Sequence, residues 1–431
     1  MQTFLRYVFT LGVLGFLFSC SPLAPRKLDK LFHGTETNFH DHTGFMLYDL
    51  EEKKSVYAFN ADKYFTPASN TKIFTFYTSL TLLGDSLPAL RYVETADSLI
   101  FWGTGDPTFL YKNVFDNGRV FNFLKQSGKK LYFSGSNFYT TTFGLGWAWD
   151  DYNSAYSAER FSFPVYGNLV SVKAKNNRLD LQPPFFKNNF TTGDVEEETN
   201  VIRKVESNDF KFYPSPKGTF EDDIPFRADA DLVSRLLADT LKRTVTTVNK
   251  VLAKDARVLY SMPVDSAYRV MMQQSDNFIA EQLLMMSAGV LSDSLQPEIA
   301  IRYMKKNALK DLSNEPEWVD GSGLSRYNLF TPHSVVQLWE KIYAKVPRER
   351  LFPMLATGGK PGTLRNWYKA DKPYVFGKTG SLSNVHCLSG FLVTKRGKTV
   401  IFSFMNSDFT VASSEVRKNM QTILNLIYEN Y

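Results

Sequence analysis

Pro67-Ala68-Ser69-Asn70-Thr71-Lys72-Ile73-Phe74-Thr75-Phe76-Tyr77-Thr78-Ser79-Leu80 reads as the start of a buried helix. Proline stands just before the apolar run and Gly84 just after it, which is helix punctuation. Positions three apart share one helical face, so the Ser69 hydroxyl and the Lys72 amine can lie within hydrogen-bond reach. Serine is a weak nucleophile until a base takes its proton. Lysine can be that base only when part of it is neutral, and burial or a nearby cation favours that form. Lys378 is the expected cation. The S-x-x-K pattern alone says little. Ser127-Gly128-Lys129-Lys130 has the same spacing, but it lies in a polar Gly/Lys stretch with no apolar helix behind it.

Two further motifs follow in order. Ser275-Asp276-Asn277 leads into Phe278-Ile279-Ala280-Glu281-Gln282-Leu283-Leu284, and the helix is expected to carry Ser275. Ser275 can relay a proton to a leaving amine. Asn277 can bind a substrate amide or hold Lys72, and either residue also suits a plain helix N-cap. Lys378-Thr379-Gly380 closes the β-rich Pro373-Tyr374-Val375-Phe376-Gly377. Lys378 and Thr379 offer a cation and a hydroxyl to a terminal carboxylate, and Gly380 leaves room for an approaching substrate strand. The backbone N–H groups of Ser69 and Ser381 are the candidate oxyanion donors, each worth ~3 kcal/mol in the transition state. Together the three motifs describe serine acyl transfer.

The rest of the inventory supports no competing chemistry. The five histidines form no metal motif: His33, His40 and His42 crowd near the N-terminus, His333 opens a helix, and His386 lies beyond the Lys378 strand. No cofactor or metal is expected. A net charge of +6, without basic clusters among aromatics, gives nucleic-acid binding no support. Aromatic residues make up 15% of the 431-residue chain, which suits a β-rich protein. Only two cysteines occur, so an exported form would rely on its core rather than a disulfide.

Residues 1–20 read as a signal segment. Arg6 precedes an apolar run from Tyr7 to Phe18 that is too short to span a bilayer. Leu17-Phe18-Ser19-Cys20 resembles a bacterial lipobox, which implies lipid on Cys20 and a membrane partner. Ser21 after the cysteine resembles the outer-membrane sorting signal. Residues 21–42 read as a tether. Residues 43–84 and 243–431 are expected to form one catalytic domain, and 85–242 an inserted β-rich part. A hairpin is expected at Gly44–Tyr48 and Ser55–Phe59. Three closing strands (Val375–Ser381, His386–Thr394 and Thr399–Asn406) are expected to precede a last helix from Ser413. The class is α/β, an antiparallel sheet flanked by helices.

S-x-x-K, S-D-N and K-T-G in this order resemble the active-site set of penicillin-binding proteins and serine β-lactamases. Gly103-Thr104-Gly105-Asp106-Pro107-Thr108, Gly146-Trp147-Ala148-Trp149-Asp150-Asp151 and Asp320-Gly321-Ser322-Gly323-Leu324-Ser325-Arg326-Tyr327-Asn328-Leu329 extend the likeness. They point to the low-molecular-mass class C penicillin-binding proteins, the D-alanyl-D-alanine carboxypeptidase/endopeptidases. The resemblance covers about residues 44 to 428. It implies a penicillin-recognising transpeptidase-like domain, acting on peptidoglycan stem peptides and acylated by β-lactams, in the bacterial envelope. By position it makes Ser69 the nucleophile, Lys72 the base and Ser275 with Asn277 the second-motif pair, and Lys378, Thr379 and Ser381 the substrate strand. Ser381 stands where the family usually has threonine. Tyr156-Ser157-Ala158-Glu159-Arg160 departs from the pattern expected after Asp150 and Asp151. Two alternatives stay open: a β-lactamase or esterase on the same fold, and a non-catalytic wall-binding or β-lactam-sensing lipoprotein.

Overall fold

The computed structural model describes residues 25–111 and 114–431; Cys20 and the expected signal segment lie outside them. One antiparallel six-stranded sheet organises the catalytic part. Its order is Ala356–Thr357, Val375–Leu382, Val385–Val393, Thr399–Ser407, His42–Asp49, Lys54–Phe59. The two ends of the chain therefore meet in the middle of the sheet, with Phe45 opposite Phe404. The expected hairpin, the three closing strands and the last helix, Ser413–Asn430, are all present.

Helices cover both faces. Thr71–Leu82, Asn277–Ser292 and Pro332–Lys345 pack on one side in a single apolar core. Asn277–Ser292 is buried from Phe278 to Ala288, as expected of a helix that is apolar all round. Ser413–Asn430 covers the other face together with Pro25–Phe39. The latter helix corrects the expected tether. Leu28, Phe32 and Thr35 form a buried stripe, and Phe32 stacks on Phe45 at 4.7 Å and on Phe59 at 5.4 Å. Its charged residues face outward and hid a stripe only one residue per turn wide.

The inserted part has its own core and runs further than residue 242. A five-stranded mixed sheet pairs Ser86–Glu94 with Arg257–Pro263, so the chain leaves and re-enters the catalytic part side by side. Helix Ala230–Leu241 packs in this second core. Strand Arg257–Pro263 carries two register shifts and buries only Ser261, which is why its sequence gave little strand signal. Two three-stranded sheets complete the insert and take up residues 186–227.

Candidate active site

The chain turns sharply just before the Thr71–Leu82 helix. Ala68 has φ 46° and Ala68–Asn70 form a short 3-10 turn, which presents Ser69 at the helix end. Two glycines let other segments reach this turn. A Cβ on Gly380 would stand 2.5 Å from Pro67 O and 3.0 Å from Ser69 N, and one on Gly323 would overlap Ala68 O. The group that needs the space at Gly380 is therefore the Ser69 turn itself. That corrects the expected role of clearing a path for substrate.

Lys72 is fully buried. Its Nζ donates to Ser69 Oγ at 2.9 Å, Asn277 Oδ1 at 2.6 Å and Ser322 O at 2.7 Å. Burial lowers its pKa from the ordinary 10.5 to about 8, against the opposing pull of the Asp320, Asp276 and Glu281 carboxylates. Burial, rather than the expected charge of Lys378, is thus what favours the neutral amine. Lys378 is also fully buried. Desolvation, with Lys72 adding to it, pushes its pKa well down. Its Nζ donates to Ser275 Oγ at 2.8 Å and Thr379 O at 2.6 Å.

Ser275 sits not in the helix but just before it, with φ 65°, between Val264–Gln273 and Asn277–Ser292. Asp276 is the N-cap instead, accepting from Ile279 N at 2.8 Å. Asn277 spends its other amide atom on the insert, donating to Tyr156 O at 2.9 Å. Thr379 donates to Thr363 Oγ1 at 2.8 Å. Ser381 Oγ lies 2.8 Å from His386 Nδ1, and burial pushes that imidazole down to about 3, so it stays neutral. The expected residues thus fall into two contacting groups, Lys72 with Ser69 and Asn277, and Lys378 with Ser275, and Thr379 and Ser381 lie on the same strand as Lys378. His333 is elsewhere, paired with Asp62 at 2.9 Å, and buried Cys387 is held as a thiol, its pKa pushed up to about 12.

The sequence reading gave no role to three supporting groups. Asn70 is buried, donates to Lys378 O at 3.0 Å and accepts from Ser389 Oγ at 2.6 Å, which ties the Ser69 turn to the Lys378 strand. Glu281 accepts from Gly321 N at 2.9 Å and Ser322 N at 2.7 Å, so it orients the carbonyl that Lys72 uses. Arg160 of the insert pairs with Glu281 at 3.1 Å, both side chains buried. In the sequence, only the i+4 offset of Glu281 from Asn277, on the same helical face, points to this role.

This is the site of a serine acyl-transfer enzyme of the penicillin-recognising fold, and comparison with known proteins agrees. The chain belongs to the D-Ala-D-Ala carboxypeptidase 3 (S13) family, whose pattern it matches over residues 26–430. It is 24% identical over 429 residues to the D-alanyl-D-alanine carboxypeptidase DacB of Haemophilus influenzae, covering 85% of each chain. It is 21% identical to penicillin-sensitive carboxypeptidase A of Dictyostelium discoideum, covering 79% of this chain and 77% of that one. The crystal structure of penicillin-binding protein 4 from Haemophilus influenzae superposes with a TM-score of 0.75 at 18% identity, over 92% of this chain and 99% of that one. Like its family, this chain is a serine D-Ala-D-Ala carboxypeptidase/endopeptidase of the cell wall.

Proposed function

We propose that Ser69 is the residue acylated by peptidoglycan stem peptides and by β-lactams, with Lys72 as its base. The observation that carries this is the 2.9 Å contact between a buried lysine of lowered pKa and the hydroxyl at a helix start. Neutral Lys72 takes the Ser69 proton as Oγ attacks the carbonyl of the penultimate D-alanine. The N–H groups of Ser69 and Ser381 stabilise the oxyanion. The proton then passes through Ser275 to the departing amine, and water later opens the ester. Lys378 and Thr379 receive the carboxylate beside that amine. Lys378 touches only neutral oxygens in the hydrogen bonds it makes, so a substrate carboxylate would supply its counter-charge.

Intact-protein mass spectrometry with fluorescent penicillin tests the assignment. A lasting adduct on the wild type and none on Ser69→Ala is the expected result. An adduct on both proteins, or none on either, would overturn it. Fast penicillin turnover without accumulation would favour a β-lactamase instead.

We further propose that lipid on Cys20 holds the enzyme to the periplasmic face of the outer membrane. The lipobox-like Leu17–Cys20 supports this. No helix among the described residues is long and apolar enough to cross a membrane. Lipid labelling of wild type but not of Cys20→Ala is the expected result; label on both proteins would sink the assignment.

A further inference from the structure

Two short 3-10 turns, Trp149–Asn153 and Ala155–Ser157, make up the segment of the insert that faces the second motif. Such turns are weakly held by their own hydrogen bonds, yet this segment carries the carbonyl that the Asn277 amide uses. Its support is the three-stranded sheet Phe190–Thr192, Phe210–Tyr213, Asn200–Arg203. Asn200–Arg203 is an edge strand, so the outer side of its backbone needs partners. Asn153 supplies them from its side chain: Nδ2 donates to Val201 O at 2.9 Å and Oδ1 accepts from Arg203 N at 2.8 Å. The amide thus stands in for the peptide group of an adjoining strand. Tyr152 adds a second tie. Its hydroxyl donates to Arg203 O at 3.0 Å, and its ring lies 5.2 Å from the Arg203 guanidinium. Arg203 is itself held fast: it is fully buried and donates to the carbonyls of Pro225, Lys204, Val205 and Ser207 at 2.8–3.2 Å.

Three residues past Asn153, Tyr156 O accepts from Asn277 Nδ2 at 2.9 Å, while Asn277 Oδ1 accepts from Lys72 Nζ at 2.6 Å. A side-chain amide has a donor end and an acceptor end. With Tyr156 O in place, only one orientation of Asn277 pairs both. The flipped amide would set its N–H groups against Lys72 and its oxygen against Tyr156 O. The carbonyl therefore selects which atom of Asn277 meets Lys72. We propose that the small sheet anchors this segment and that Asn153 is a positioning residue for acyl transfer, acting through Tyr156 O on the Asn277 amide and so on Lys72. This rests on the reading of Ser69 and Lys72 as nucleophile and base. It gives residues 190–213 a part in the reaction, delivered through the side chains of Tyr152 and Asn153.

The test is the second-order rate of acylation by fluorescent penicillin, measured on the full chain in detergent from pH 6 to 9 and well below the unfolding midpoint. Asn153→Ala is expected to lower the plateau rate roughly 10-fold, the scale of a small misplacement at the site. The midpoint of the pH profile should also fall, because Asn277 Oδ1 favours the charged form of Lys72 and is no longer held against it. In an Asn277→Ala background, Asn153→Ala should change the rate less than about 2-fold, since its route is gone. Tyr152→Phe removes one tie and should give the same pattern at smaller size, which keeps the test open should Asn153→Ala fold poorly. Val172→Ala, in the insert core but on a different sheet, is the stability control and should acylate like the wild type. A wild-type rate and midpoint in Asn153→Ala would overturn the proposal. So would an equal loss with and without Asn277, or a matching loss in Val172→Ala. A wild type that takes no adduct would instead refute the Ser69 reading, before any variant is compared.

Discussion

Replacing Asn70 with alanine isolates the link between the nucleophile turn and the substrate strand. The change removes the 3.0 Å bond to Lys378 O and the 2.6 Å bond from Ser389 Oγ. Each buried bond contributes about 1 kcal/mol net, and leaving a partner unsatisfied costs about 1–3 kcal/mol. Ser389 keeps a donor in Trp339 Nε1 at 3.0 Å but loses its acceptor. The expected destabilisation is therefore about 2–4 kcal/mol, read as a lower urea midpoint at unchanged slope. Chemistry should suffer separately. Asn70 sets where Ser69 stands relative to Lys378 and Ser381, and a displacement on the order of 1 Å can cost about 100-fold in rate. The assay is the second-order rate of acylation by fluorescent penicillin, taken well below the unfolding midpoint. Ser389→Ala is the control: it removes only one of the two bonds, so its acylation rate should fall much less. Wild-type acylation by a destabilised Asn70→Ala protein would refute the reasoning, because Asn70 would then support the fold without positioning the site.

Acylation should rise with pH and level off above about 8, as Lys72 loses its proton; a flat profile from pH 6 to 9 would rule out Lys72 as the base. The same lowered pKa has a stability consequence. Between about pH 8 and 10.5 the unfolded chain binds the Lys72 proton and the folded one does not, so this group should raise stability with pH by on the order of 3 kcal/mol; buried Lys378 acts in the same direction, so urea titrations of Lys72→Met should show a smaller rise than the wild type. Glu281→Leu should cost about 3–5 kcal/mol by stranding Arg160, and adding Arg160→Met should restore much of it, as measured by denaturant midpoints. Gly380→Ala should lower penicillin acylation at least 10-fold while the protein stays folded by circular dichroism, because its Cβ meets Pro67 O at 2.5 Å.

The motif residues were legible because each combines a chemical type with a local pattern. Ser69 and Lys72 follow from helix spacing and its punctuation, and Lys378 from the strand that ends the β-rich run. The closing strands and last helix were equally plain, since their apolar residues are contiguous. What stayed hidden depends on contacts between distant segments. Asn70 lies between Ser69 and Lys72, yet its partners are on strands more than 300 positions away. Ser275 reads as helical because an apolar helix follows at once, but Asp276 takes the cap and leaves Ser275 in a left-handed turn. Strand Arg257–Pro263 is mostly exposed, so no alternation marked the true end of the insert.

The insert is part of the active-site architecture, not only an appendage to it. Contacts cross from it to the catalytic part at the site: Tyr156 O holds the Asn277 amide, Arg160 pairs with Glu281, Trp147 Nε1 donates to Asp320 Oδ2 at 3.0 Å, and Tyr111 OH donates to Asp276 Oδ2 at 3.4 Å. Asp320 and Glu281 between them accept from the backbone N–H groups of Gly321, Ser322, Gly323 and Ser325. That loop presents Ser322 O to Lys72. The same two carboxylates raise the pKa of Lys72 while burial lowers it. A shift of the insert would therefore act on Lys72, the proposed base, in two ways, through the geometry of its acceptor and through the charge around it. Arg160 is the residue where both meet, because it sets the position of Glu281 and offsets its charge. The departure at residues 156–160 from the expected pattern thus falls on the segment that couples the insert to the surroundings of Lys72.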